Sequence, residues 1–194
     1  MGQLSFFSAE ATPPAVTDLS GLLAGPGQMV SFGAGARISV VVDEQWRARA
    51  VAQLIEEAEL PAEITRSEEG RPLVRTGVAP ELAALAREWT RGAVKAVPEM
   101  WVPDSRELRI WAIAAGYGEH DGERFVLGLD PHAPDSHPQL ALALMRAGIA
   151  PTLIGTRGPR PGLRIAGRRR LMRLAECIGE PPADAGPSLG WPRF

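Results

Sequence analysis

The chain has one cysteine, Cys177, among 194 residues, which excludes a disulfide framework within it and points to a reducing compartment. Long apolar runs are missing as well. No stretch approaches the ~20 residues that span a bilayer. Residues 1–12 have neither a basic leader nor an apolar run of useful length, so no signal peptide is expected. A soluble protein of the cytoplasm, possible nucleoid association included, without membrane contact, is the expectation. Charge of one sign is lacking too: 21 Lys/Arg against 23 Asp/Glu give a net of −2, which argues against a strong polyanion partner for the chain as a whole. Glycine-rich pieces such as Gly33-Ala34-Gly35 fit neither the dinucleotide fingerprint nor the phosphate loop, and no cofactor is expected. What remains is one domain, or two small halves, with 45% apolar residues to build a core.

The balanced charge conceals a skew. Residues 1–100 hold nine Lys/Arg and thirteen Asp/Glu, whereas residues 136–175 hold eight arginines and no acid. Such asymmetry marks either a solvated basic face or a surface for phosphate.

An internal repeat organises the chain. Displaced by 89 residues, the stretch 36–89 falls on 125–178 without a gap. Arg71-Pro72-Leu73-Val74-Arg75 meets Arg160-Pro161-Gly162-Leu163-Arg164, and Leu82, Leu85 and Ala86 meet Leu171, Leu174 and Ala175. Each copy reads as strand (37–42; 125–129), amphipathic helix, two strands forming a hairpin (62–67 and 72–77; 151–157 and 161–166), and a closing helix. Ahead of each lies a small-residue apolar segment ending in glycine, 18–27 and 108–118, suited to a closely packed central helix pair. The expected fold is therefore α+β: two pseudo-symmetric α-β-α-β-β-α repeats in a monomer, with a curved antiparallel sheet covered by helices on one face. The expected units are an N-terminal peptide and tether (1–15), the repeats (16–89 and 105–180), a connector (90–104) and a tail (181–194).

Leu19-Ser20-Gly21-Leu22-Leu23-Ala24-Gly25-Pro26-Gly27 resembles the LAGLIDADG motif of homing endonucleases, and the repeated order of elements is similar to their single-chain form. The chain also resembles the degenerate LAGLIDADG-like domain of the WhiA family of actinobacterial regulators, in which the fold persists without nuclease activity. The resemblance implies a carboxylate near the end of each central helix to hold divalent metal. The first motif has Pro26 there, and the second Ala115 or Tyr117. No catalytic residue and no metal are therefore expected. Glu119 and Asp121, just beyond the second helix, are the acids of an alternative reading as a divergent nuclease.

The same resemblance gives the basic residues a role. The fold reads double-stranded DNA with outward strand residues, which nominates Arg71, Arg75, Arg157, Arg160 and Arg164, together with Arg168, Arg169 and Arg170 at the start of the last helix. Asp130, His132, Asp135 and His137 are suitable metal ligands by type, but a helix-capping turn through Asp135 or Ser136 is the stronger reading. Cys177 lies on an apolar helix stripe and reads as core. At the other end, Gln3-Leu4-Ser5-Phe6-Phe7 resembles the short peptide by which bacterial replication and repair proteins bind the sliding clamp. It implies a hydrogen bond from Gln3, and Leu4, Phe6 and Phe7 filling an apolar groove, ahead of a short stiff tether, Thr12-Pro13-Pro14-Ala15. The composite expectation is a non-catalytic, DNA-associated accessory or regulatory protein of replication, repair or transcription. A protein-interaction module without nucleic acid is the rival from another class.

Overall fold

The structure, a computed structural model, describes residues 8–186 and 190–192, apart from the side chain of Asp121. Each repeat begins on a helix whose start is fixed by an acid. Asp104 precedes α4 (Ser105–Ala115) and accepts from the Glu107 amide at 2.8 Å, while Glu107 accepts from the Asp104 amide at 2.7 Å. At the repeat-equivalent position Asp18 accepts from the Ala15 amide at 2.8 Å, opening a 3-10 turn (Val16–Leu19) that runs into α1 (Ser20–Ala24). The two helices pack together at the centre. Gly21 leaves no room there for a Cβ, which would collide with the Glu107 carbonyl. The close backbone approach expected from the small residues is thus present.

After α1 come the hairpin β1 (Gln28–Phe32) and β2 (Gly35–Val41), then α2 (Gln45–Glu57), β3 (Ala62–Arg66), β4 (Pro72–Thr76) and α3 (Ala83–Trp89). The connector forms a short ladder of β5 (Thr90–Arg91) and β6 (Val94–Lys95). The second copy repeats the order: α4, β7 (Gly116–Glu119), β8 (Arg124–Gly128), α5 (His137–Arg146), β9 (Thr152–Ile154), β10 (Gly162–Ala166) and α6 (Arg168–Ile178). The sheets run β1-β2-β4-β3 and β7-β8-β10-β9, antiparallel throughout. Burial alternates along β2, with Ile38 and Val40 in the core and Arg37, Ser39 and Val41 half-exposed, so helices cover one face only.

The α+β class and the two-repeat plan are those read from the sequence, with three differences. First, each copy has an additional strand, β1 and β7. Gly116-Tyr117-Gly118 continues the apolar pattern of α4, but Tyr117 pairs with Val126 of β8, and sheet hydrogen bonds replace helical ones. The expected single sheet is accordingly two four-stranded sheets.

Second, the repeat is not free of gaps. Val30 faces Arg37 and Glu119 faces Arg124; Ser39 faces Arg75 and Val126 faces Arg164. All ladders match when β1, β3 and β4 keep the offset of 89 and β2 meets β8 at 87, as from Arg37 to Arg124. The first hairpin is longer by two residues, and the loop from β8 to α5 restores them.

Third, the linking segments are structural. Trp101 of the connector packs edge-on against Trp89 at 4.9 Å and lies 6.4 Å from Trp111, so it touches both copies. Trp191 of the tail meets Phe125 at 6.1 Å and donates to the Gly179 carbonyl at 2.8 Å. The residues ahead of the expected tether are seated, Ser8 and Ala9 being buried, while residues 12–15 are exposed; Arg106 donates to the carbonyls of Ala9 and Thr12. Gln3, Leu4, Phe6 and Phe7 lie outside the described residues.

Candidate nucleic-acid interface

Strand register sorts the side chains of the helix-free face. Met29 pairs with Ile38 toward the core, so Val30 with Arg37, Gln28 with Ser39, and Phe32 lie on the open side. β4 adds Leu73 and Arg75 to that side, opposite Val41 and Ser39. In the second copy the open side holds Tyr117, Glu119, Arg124, Val126 and Arg164.

A cleft of about 430 Å³ lies where the two open faces meet at the ends of the central helices. Repeat-equivalent residues line it in pairs: Pro26 with Ala115, Gln28 with Tyr117, and Arg71 with Arg160. Ala115 rather than Tyr117 therefore occupies the place of Pro26. Burial, then the charge of Glu119, push the Tyr117 phenol above its ordinary range and keep it a neutral donor.

Both helix ends beneath the cleft are held by side-chain cations. Buried Arg47 donates to the carbonyls of Ile113 at 2.7 Å and Gly116 at 2.6 Å, closing α4. Lys95 donates to the Gly25 carbonyl at 2.8 Å, closing α1, and forms a buried ion pair with Asp130 at 2.9 Å. Asp130 also accepts from Gln28 at 2.5 Å and from the His132 amide at 2.9 Å. Burial alone would raise the Asp130 carboxyl, but Lys95 and these hydrogen bonds outweigh it and hold the group below its usual range.

The Asp130–His137 run is thus a turn organised around that ion pair. His137 is buried with Nε2 2.7 Å from the Asp130 carbonyl, while His132 and Asp135 are exposed. Neither expected helix cap forms: Ser136 Oγ donates instead to the Ala133 carbonyl, and Asp135 makes no side-chain cap. No group of His, Cys, Asp and Glu fit to hold a metal ion occurs among the described residues. Cys177 is buried in the core, where burial raises its thiol pKa.

The nominated arginines divide into three groups. Arg71 and Arg160 share the cleft, although Arg71 also pairs with Glu69 at 2.5 Å. Arg75 and Arg164 lie on the open face as expected, but each is engaged by a carboxylate, Glu63 at 3.3 Å and Glu119 at 2.8 Å. Arg157 is exposed on the turn before β10. Arg168 lies beside Glu123 and Arg124 at the end of the second sheet, and Arg169 and Arg170 are exposed on the first turn of α6, which packs in the helix layer against α4. Glu119 is committed to Arg164, and the Asp121 side chain lies outside the described residues.

No family model matches the sequence, and no curated protein does. Solved structures match in shape. Full-length DUF199/WhiA from Thermatoga maritima aligns over 84% of this chain with a TM-score of 0.59 and 15% identity, and the chain spans 54% of its length. The homing endonuclease I-WcaI bound to its DNA recognition sequence covers 92% of this chain at TM-score 0.58 and 10% identity, over 83% of its own length. The N-terminal LAGLIDADG domain of DUF199/WhiA covers 92% at TM-score 0.56 and 13% identity, over 88% of its length. The fold is LAGLIDADG-like.

Within a LAGLIDADG-like fold the metal-binding acids belong at the ends of the central helices, and the residues here do not fit that role. Pro26 and Ala115 offer no ligand. The adjoining carbonyls are taken by Lys95 and Arg47, and the nearest buried carboxylate, Asp130, is neutralised by Lys95. The other carboxylate lining the cleft, Asp43, is paired with Arg47 at 2.9 Å, so both acids there are already engaged by a fixed cation.

Sequence reading missed one pair of residues. Arg37 and Arg124, equivalent at the 87 offset, both lie on the open face, and among the described residues their side chains make no hydrogen bond or ion pair. Arg37 instead stacks 5.5 Å above Phe32. The ungapped offset of 89 sets Arg37 against Val126 and conceals the match. Aligning the hairpins on their turns would have revealed it.

Proposed function

We propose that this LAGLIDADG-like chain binds duplex DNA across its two open sheet faces without cleaving it, as an accessory or regulatory protein of replication, repair or transcription. The observation that carries this reading is the repeat-related pair Arg37 and Arg124, arginines without an acid partner on the open faces, together with Arg71 and Arg160, which line the cleft. Guanidinium groups spaced by the repeat suit two successive stretches of phosphate backbone. The likeness to a homing endonuclease bound to its DNA recognition sequence supports DNA as the partner. Lack of cleavage follows from Pro26, Ala115 and the cations behind them. Recruitment to the sliding clamp through Gln3, Leu4, Phe6 and Phe7 belongs to the same proposal. Its support is that Ser8 and Ala9, which follow the peptide, are anchored on the helix side, away from the open faces.

The test is duplex binding by fluorescence polarisation over a salt series. Wild-type protein should show a log–log slope that becomes shallower by about 0.9 for each phosphate contact removed. Arg37→Gln with Arg124→Gln should therefore reduce it by roughly 1.8 if both touch phosphate. An unchanged slope and affinity would place DNA elsewhere. Binding to purified clamp, abolished by Phe6→Ala with Phe7→Ala, tests the recruitment part separately.

A further inference from the structure

The two open faces differ in chemistry where their repeat positions coincide. In the second copy Glu119 stands at the position of Val30 and is tied to Arg164. In the first copy the same edge is apolar: Val30 is 49% exposed and Phe32 47% exposed, on the longer hairpin, with Arg37 stacked on Phe32. A polar rung, Gln28 with Ser39 and Arg75, separates this apolar edge from Val41 and Leu73, which line the cleft. Apolar side chains that face outward on a β-ribbon, with an uncommitted arginine among them, have no use for phosphate. They match the major groove, which admits a two-stranded ribbon and displays the thymine methyl as its one apolar feature.

We propose that Val30 and Phe32 contact thymine methyl groups in the major groove, so that the first repeat reads a thymine-bearing half-site and the second, with its acid–arginine pair, reads something else. The target is then asymmetric, despite the two-fold plan of the protein. This inference rests on the DNA-binding reading above. The occupant follows from the surface itself: the apolar pair shares the helix-free face with the guanidinium of Arg37, which has no acid partner and is a charge complement to DNA.

The experiment uses the full chain and a duplex enriched from a randomised library, resynthesised with deoxyuridine in place of thymidine. That exchange deletes only the methyl and preserves the pairing edge. Wild-type affinity should fall about fourfold for each contacted methyl, the equivalent of one buried carbon. The variant Val30→Ser with Phe32→Ser should bind both duplexes equally and keep the wild-type salt slope, since neither residue is buried and neither carries charge. Equal wild-type affinity for the two duplexes, with salt-dependent binding intact, overturns the thymine reading and leaves DNA binding standing. Discrimination that persists in the variant overturns the assignment to β1. Absence of any salt-sensitive duplex binding overturns both, and makes the apolar strand a protein-docking edge.

Discussion

Replacing Lys95 by methionine removes one charge from beneath the cleft while keeping the apolar stem. The side chains of Lys95 and Asp130 are 6% and 4% exposed and 2.9 Å apart. After the change Asp130 retains Gln28 and the His132 amide as donors, but its charge is buried without a counterion, and the Gly25 carbonyl loses its partner. Breaking a buried pair in this way costs about 3–5 kcal/mol. For a chain of this length each kcal/mol moves the melting temperature by roughly 2–4 °C, so a fall of about 6–20 °C is expected. Thermal and urea unfolding followed by circular dichroism measure it. Adding Asp130→Asn should recover part of the loss, because the amide removes the unpaired charge while its oxygen still accepts a hydrogen bond from Gln28 or the His132 amide. The pair also sets an acid limit. Asp130 titrates below its ordinary range in the folded state, so its contribution is complete above the unfolded value and is lost as pH falls through the lowered one. The double variant should lack that part of the acid transition. A loss below about 1 kcal/mol in Lys95→Met would mean that the pair behaves as a solvated surface bridge, and the argument for a fixed cation at the end of α1 would fail.

Two further outcomes test the central helices. Gly21→Ala should destabilise by about 1–3 kcal/mol, since the added methyl meets the backbone carbonyl of Glu107 rather than a movable side chain; an unchanged melting temperature would contradict the close approach. Glu107, raised above its ordinary value chiefly by burial, should lower stability as pH rises from the unfolded carboxyl value through the folded one, and Glu107→Gln should flatten urea unfolding across that window.

Much of this architecture was legible in the sequence because hydrophobic period and repetition report burial directly. The stripes of α2 and α5, the hairpin strands β4 and β10, and Leu163 and Ile165 facing inward around Arg164 all follow from alternation. β1 and β7 did not, because their placement depends on partners distant in sequence. Gly116-Tyr117-Gly118 has the composition of a helix end, and only pairing with β8 makes it a strand. The interface was half legible for the same reason. Composition located the arginines, but whether each is available depends on a carboxylate across the sheet: Glu63 for Arg75, Glu119 for Arg164. Arg37 sits alone in an acidic half, and nothing local marks it.

The electrostatics of the central helices connect fold to function. A helix presents partial positive charge at its start and partial negative charge at its end. Here the acids stand at the starts, Asp18 on the Ala15 amide and Glu107 on the Asp104 amide, and the cations stand at the ends, Lys95 on Gly25 and Arg47 on Ile113 and Gly116. Each of these four charges complements its dipole; Arg106, a cation on the first turn of α4, is the exception and is paired with Asp18 and Glu57. The arrangement that the LAGLIDADG resemblance implies for a nuclease is the opposite at the helix ends: carboxylates placed against the negative pole, tolerable when a divalent cation sits between them. Lysine and arginine supply that positive charge covalently, so the helix pair stays satisfied in the absence of any metal and the cleft keeps its shape. Under the proposed function, a scaffold wired in this way would keep a surface for the duplex without the carboxylates that hold a metal to activate water at its phosphates. It also explains why the cations are buried beneath the cleft rather than displayed in it. Their partners are the helix carbonyls, Asp43 and Asp130, so on the proposed function contact with DNA falls to the arginines of the open faces.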